Sequence, residues 1–154
     1  MTTTFDPIAL PVAEWTRDGY RLTSDRGLID LDAVHAYLAE ESWWARGLSR
    51  ERLERAIAGS LPFAIRAPDG AFAGFARVVT DYAVFAYLRD VFVLPAHRGR
   101  GLATWVALAI REHPELTGVA TWMLASTDTQ ALYERAGYSR DPHPERYMRV
   151  KREG

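Results

Sequence analysis

Val91-Phe92-Val93-Leu94-Pro95-Ala96-His97-Arg98-Gly99-Arg100-Gly101-Leu102-Ala103 is the densest chemical signal in the chain. An apolar strand stops at Pro95, which cannot donate to a ladder. A turn with two glycines follows. A helix then begins, with Leu102, Trp105, Val106 and Ala109 on one face and His113-Pro114 as its stop. The first turn of such a helix has unpaired N–H groups and the positive end of the helix dipole. Glycines let a ligand come close to the backbone, so the geometry suits a pyrophosphate, and Arg98 and Arg100 add positive charge. The same residues also fit a plain strand-to-helix turn with two solvated arginines. Two other phosphate loops do not fit. The Gly-Lys-Ser/Thr ending is absent, and Gly99-Arg100-Gly101-Leu102-Ala103-Thr104 lacks the third glycine of the dinucleotide fingerprint.

Upstream, residues 84–94 are β-branched and aromatic, which suits a central strand. Strands at 63–67 and 71–80 are joined by Pro68-Asp69-Gly70, a hairpin turn, and Thr80-Asp81-Tyr82 makes a second turn. After Asp30, residues Leu31, Val34, His35 and Leu38 have helical spacing, with Asp30 or Asp32 as cap. A second helix opens at Ser49, with Leu48 and Leu53 as a hydrophobic staple and Gly59 as its end. Tyr20–Thr23 reads as a short strand, and the residues up to 17 as an irregular lead-in or a short first strand. Downstream, 119–125 reads as a strand. Thr127-Asp128-Thr129-Gln130 reads as a capping box for a helix that Gly137 closes, and 146–150 as the last strand. Antiparallel hairpins followed by β-α-β crossovers make an α/β (α+β) chain with a mixed sheet.

A length of 154 residues fits one domain, 1–154, and 48% apolar residues suffice for a full core. A formal net charge of −1 gives no global attraction to nucleic acid or membrane. Without cysteine there is no disulfide, thiolate metal site or cysteine nucleophile. No signal peptide is visible, and no apolar run approaches the roughly 18 residues of a membrane span. The expectation is a cytoplasmic protein that uses no metal, binds no nucleic acid and is not held in a membrane.

Arg98-Gly99-Arg100-Gly101-Leu102-Ala103 resembles the Q/R-x-x-G-x-G/A signature of the GNAT superfamily of N-acetyltransferases, and the preceding strand ending in Val-x-Pro is also similar. The resemblance implies a GNAT fold: a mixed central sheet with flanking helices, whose parallel strands 4 and 5 (here 84–94 and 119–125) splay apart. It implies that the turn Arg98, Gly99, Arg100, Gly101, Leu102 and Ala103 holds the pyrophosphate of acetyl-coenzyme A. The pantetheine arm would pair with the strand end near Phe92 and Val93, as an added strand does. Ala131-Leu132-Tyr133-Glu134-Arg135-Ala136-Gly137-Tyr138 resembles the family's Leu-Tyr-x-x-x-Gly-Phe/Tyr segment, which makes Tyr133 the candidate general acid toward the departing thiol. The implied reaction is acetyl transfer to a primary amine by direct attack in a ternary complex. Two features depart from the family. Trp122-Met123-Leu124-Ala125 carries no carboxylate base, and Ser126-Thr127-Asp128 lacks the usual asparagine.

Asp90, inside an apolar strand, is the preferred candidate base, because a buried carboxylate there is costly unless paired. A structural salt bridge is the competing account. Glu40, Glu41 and His35 are weaker candidates, and Trp43, Trp44 and Tyr87 are candidates for the acceptor pocket. The acceptor is a small-molecule or peptide amine, and homodimers are common in the family. A rival function is an acyl-coenzyme A sensor without turnover.

Overall fold

The computed structural model describes residues 4–152. Its six strands are β1 (Glu14–Arg17), β2 (Tyr20–Thr23), β3 (Leu61–Arg66), β4 (Phe72–Thr80), β5 (Phe85–Val93) and β6 (Thr121–Met123). They form one sheet in sequence order, antiparallel throughout except for the parallel pair β5–β6. Helices α1 (Leu31–Ala36) and α2 (Arg50–Ala58) lie between β2 and β3, α3 (Leu102–Ile110) crosses from β5 to β6, and α4 (Gln130–Arg135) follows β6. α1 runs directly into a π-helical turn, Tyr37–Glu41.

The local chemistry explains the elements. Asp30 caps α1 by accepting from Ala33 N–H at 3.0 Å, and Ser49 caps α2 by accepting from Arg52 N–H at 3.2 Å. Asp81 accepts from the N–H groups of Ala83, Val84 and Phe85, which fixes the β4–β5 turn. Each face of the sheet has its own core. Val34 and Leu38 of the first helical segment and Leu53 of α2 pack with Phe75 and Phe92, while Leu102, Val106 and Ile110 of α3 pack with Phe63, Val78 and Leu88. The result is a mixed sheet between two helical layers.

Two irregularities position the site. β6 pairs with β5 only through Phe85, Ala86 and Tyr87, so residues 88–93 have β4 on one side and no strand on the other. The expected splay of the parallel strands is present. In addition, the β4–β5 register steps from Phe75↔Phe92 to Arg77↔Arg89, so Asp90 and Val91 together oppose Ala76. This is a β-bulge. Asp90 sits in it with φ +55°, and beyond it the alternation reverses. Ala86 and Leu88 face the α3 core, whereas Phe92 faces the α1–α2 core.

Of the two readings of the lead-in, the short first strand is the one that forms, as β1. Three other expectations need correction. The strand expected at 119–125 extends only over Thr121–Met123. The capping box before α4 does not form. Thr129 is the cap residue without a side-chain bond, and Gln130 instead donates to the Ser126 carbonyl at 2.9 Å. No strand forms at 146–150: a 3₁₀ turn at Pro144–Arg146 leads into an exposed extended segment.

Gly74 is where β4 and β5 press closest. A Cβ there would stand 2.5 Å from the Phe92 carbonyl oxygen and 2.9 Å from Ile65 Cδ1. Gly74→Ala should destabilise the fold by about 1–3 kcal/mol, as overpacking against backbone does. Urea unfolding checks this, with the midpoint falling at unchanged slope.

Candidate functional site

The turn after β5 is built for close approach. Gly99 and Gly101 both hold left-handed backbone, at φ +78° and +72°. An added Cβ at Gly99 would meet nothing within 4 Å, so its face is open. Gly101 is the cap residue of α3 and has no side chain to satisfy the helix start. Among the described residues no backbone carbonyl accepts from the N–H groups of Gly99, Arg100, Gly101, Leu102, Ala103 or Thr104; the first bond of the helix is Trp105 N–H to the Gly101 carbonyl. A run of unpaired N–H groups at a helix N-terminus is an anion cradle.

The two arginines have local partners as well. Arg98 donates to the Val93 carbonyl at 2.9 Å and to the Tyr37 hydroxyl at 3.1 Å, so it braces the end of β5 against the first helix. Tyr37 in turn stacks on Phe92 with ring centroids 4.0 Å apart. Arg100 lies over the Tyr20 ring at 6.0 Å, and Tyr20 is hydrogen-bonded to His97 at 2.8 Å.

Tyr133 is placed by the joint between α3 and α4. Thr104, in the first turn of α3, donates to the Leu132 carbonyl at 3.2 Å. Tyr133 is therefore one residue from a contact to the helix that the glycine turn opens. Burial pushes its hydroxyl up to about 12, and the neighbouring Tyr138 adds to the shift. No hydrogen bond holds this hydroxyl among the described residues. The side chain borders a cavity of about 900 Å³, whose walls include Trp122, Met123, Leu124 and Gln130. None of residues 98–103 lines that cavity.

Asp90 is buried at 7% exposure, and each carboxylate oxygen has a donor. Trp44 Nε1 donates to Oδ1 at 2.9 Å, and Arg77 Nε donates to Oδ2 at 2.5 Å. Arg89 Nε stands 3.9 Å from Oδ1. Trp44 is thus brought to Asp90, while Trp43 meets Trp44 edge-on at 5.8 Å and is 65% exposed. Tyr87 is half-buried two residues before Arg89. Glu40 and Glu41 are exposed, and His35 is engaged with the Leu48 carbonyl at 2.7 Å. Sequence reasoning missed Arg77 and Tyr37, since only the register and the helix packing bring them here. An aspartate amid apolar strand residues did signal that some partner was needed.

A model of the acetyltransferase (GNAT) family matches residues 26–138. A candidate acetyltransferase from Gibberella zeae is 30% identical over 141 residues, spanning 77% of this chain and 78% of that protein. Among solved structures, a candidate acetyltransferase of the GNAT family from Xanthomonas campestris superposes with a TM-score of 0.81 at 39% identity. It covers 86% of this chain and 92% of its own. The spermidine N-acetyltransferase from Vibrio cholerae, solved with CoA and spermine, superposes at 0.62 with 18% identity, over 79% of this chain and 81% of its own; that likeness is one of fold.

The Asp90–Arg77 pair makes the bulge testable. Arg77→Met should cost about 3–5 kcal/mol, because it leaves a buried carboxylate unpaired. Adding Asp90→Asn should recover a large part of that loss, and the four-membered double-mutant cycle in denaturant measures it.

Proposed function

This chain belongs to the acetyltransferase (GNAT) family and is an acyltransferase, and from that premise we propose that it moves the acetyl group of acetyl-coenzyme A to a primary amine within a ternary complex. The observation that carries the reading is the run of unpaired N–H groups from Gly99 to Thr104, next to the stretch 88–93 of β5 that lacks a partner on one side. Pyrophosphate oxygens would accept from the first, with the helix dipole adding attraction. The amides of the pantetheine arm would pair with the second, as a strand adds to an edge, at Phe92 and Val93. Arg98, Gly99, Arg100, Gly101, Leu102 and Ala103 are the proposed contact residues of the turn. The proposed acceptor is a small-molecule or peptide amine.

The chemistry asks for two proton movements. Nitrogen attacks the thioester carbon, the C–N bond forms, the C–S bond breaks, and the sulfur leaves with an electron pair. Tyr133 then donates to that sulfur. A phenol held near 12 remains protonated across the neutral range, so the donor form is always present. Full transfer to a thiolate of ordinary basicity, near 8.5, would be uphill by about 5 kcal/mol. The positive charge on the attacking nitrogen lowers that cost while the bond forms, because a cation stabilises a nearby phenolate. The proton lost by nitrogen restores the phenol. Asp90 is the proposed acceptor for the incoming ammonium proton, using the lone pairs that Trp44 and Arg77 leave open. The ion pair supports a second reading, in which Asp90 fixes the bulge and water takes the proton. Trp43, Trp44 and Tyr87 are the proposed walls of the acceptor site.

Coenzyme A at about a hundredfold over its Kd should stabilise the protein by ~2.7 kcal/mol, read as a rise in Tm. Gly101→Val, which forces a β-branched residue into left-handed backbone at the cradle, should abolish most of that rise. No rise for the wild-type chain contradicts the reading.

Tyr133→Phe should lower kcat by about 10²–10⁴-fold with cofactor KM little changed. The alkaline side of the wild-type kcat profile should show no limb from Tyr133 in the ordinary assay range, because the group loses its proton only near 12. Steady-state thiol release with a panel of amines checks both. Unchanged kcat, with chemistry rate-limiting, removes Tyr133 from the mechanism. In the same assay Asp90→Asn should lower kcat. Loss of the circular dichroism spectrum instead assigns Asp90 to the fold.

A further inference from the structure

The sheet face on the side of α1 and α2 carries a charge arrangement that neither core explains. Val78 and Leu88 stand opposite each other and belong to the α3 core, so Arg77, Val79, Tyr87 and Arg89 fall on the other face. There Arg77 is directly opposite Arg89, and Val79 is directly opposite Tyr87. Like charges in opposite positions of a sheet repel. Among the described residues one carboxylate, that of Asp90, answers this pair. Arg77 Nε donates to its Oδ2, while Arg89 Nε lies 3.9 Å from its Oδ1, beyond hydrogen-bond reach. Trp44 already donates to the same Oδ1 at 2.9 Å. No other side-chain hydrogen bond or ion pair engages either guanidinium among the described residues, and exposed Glu40 and Glu41 pair with neither. Two cations therefore share one anion.

The rest of this face is apolar and open. Val79 and Phe85 are 41% and 38% exposed, and Tyr87 is half-buried. Val79 and Tyr87 lie one same-face step from the arginines, and Phe85 lies one step further along β5. The Arg89 side chain is 49% exposed, so its guanidinium can turn toward a ligand, whereas Arg77 is held by Asp90 at 12% exposure. A ligand that fits has an anionic group for the arginines and an apolar body for Val79, Tyr87 and Phe85. Its amine must also reach Asp90. Since Arg89 Nε is only 3.9 Å from the Asp90 carboxylate, amine and anion must sit close together in that ligand. A polyamine or a plain alkylamine brings no anion. An α-amino acid carries both groups on one carbon.

We propose that the acceptor is a free α-amino acid with an apolar side chain, its carboxylate held by Arg89, with Arg77 adding charge, and its amine at Asp90. The proposal rests on the acetyl-transfer reading above and names the acceptor class for it. A guanidinium fork matches a carboxylate through two parallel N–H···O bonds. The bound carboxylate also offsets the repulsion between the two arginines. A peptide N-terminus has no carboxylate beside its amine and would leave Arg89 unpaired, so the site separates free amino acids from peptides. The product is the N-acetylamino acid: the C–N bond forms, the thioester C–S bond breaks, and the thiol leaves with a proton.

Thiol release with leucine, leucinamide and isoamylamine tests this, because the three share a side chain and differ at the carboxylate. The amide's amine is less basic than that of the acid, so more of it is neutral at a given pH and reactivity alone favours the amide. The wild-type kcat/KM should nonetheless be highest for leucine. Arg89→Ala should lower it for leucine by roughly tenfold to a hundredfold, the loss of a charge-assisted hydrogen bond, and leave the other two within about twofold. Arg89→Lys should recover part of the loss, since it keeps the charge without the fork. An equal fall for all three substrates overturns the proposal, and so does a wild-type protein that prefers the amide. Turnover of other amines without leucine, valine or phenylalanine overturns this inference and leaves the transfer reading standing. No turnover with any amine overturns both.

Discussion

Past Tyr87, β5 keeps its hydrogen bonds to β4 and loses its neighbour on the other side, because β6 has already diverged. An open edge in the middle of a sheet is ordinarily a liability, since it invites another chain to pair. Here the same strand leads within a few residues into Gly99 and Gly101, whose backbone N–H groups are also unpaired. The two deficits adjoin in sequence and in space. One ligand with an extended amide-bearing arm and a charged end would satisfy both, and this is the physical ground for the proposed acyl-coenzyme A site.

The bulge at Asp90 lies within that open stretch of β5. One extra residue in β5 reverses which side chains face each core, so Phe92 turns toward Tyr37 and Phe75 while Leu88 stays with the α3 layer. Left-handed backbone at a non-glycine residue costs about 1–3 kcal/mol and persists only where the surroundings enforce it. The enforcing contacts are Arg77 and Trp44 on the Asp90 carboxylate. The residue proposed to handle a proton is therefore also the one that shapes the strand, so substitutions there act on fold and chemistry at once.

Much of this was legible in the residues. The strand–glycine–helix junction, the two hairpin turns and the Asp30 and Ser49 caps rest on local chemistry, and the structure has them where the sequence places them. Non-local geometry was not legible. Nothing in Asp90 names Arg77 as its partner, because a single register step decides it. Arg98 looks like a phosphate ligand in sequence, yet its side chain reaches the Val93 carbonyl and Tyr37, a contact that depends on how α1 packs. The segment 146–150 has the composition of a strand and forms none, because it follows a turn that Asp141 clamps through His143 and Tyr147, with Pro142 and Pro144 on either side of His143. Strand propensity describes what a segment can pair with and does not say which edge it meets.

Amide hydrogen exchange with and without coenzyme A tests the central claim most directly, since it reports on the backbone groups that the account invokes. Added coenzyme A should slow exchange at Gly99 to Thr104 and along residues 88–94, while β1, β2 and α2 keep their rates. Protection confined to another part of the molecule, or none at saturating ligand, would contradict the assignment of the acyl-donor site to the glycine turn and the open edge of β5.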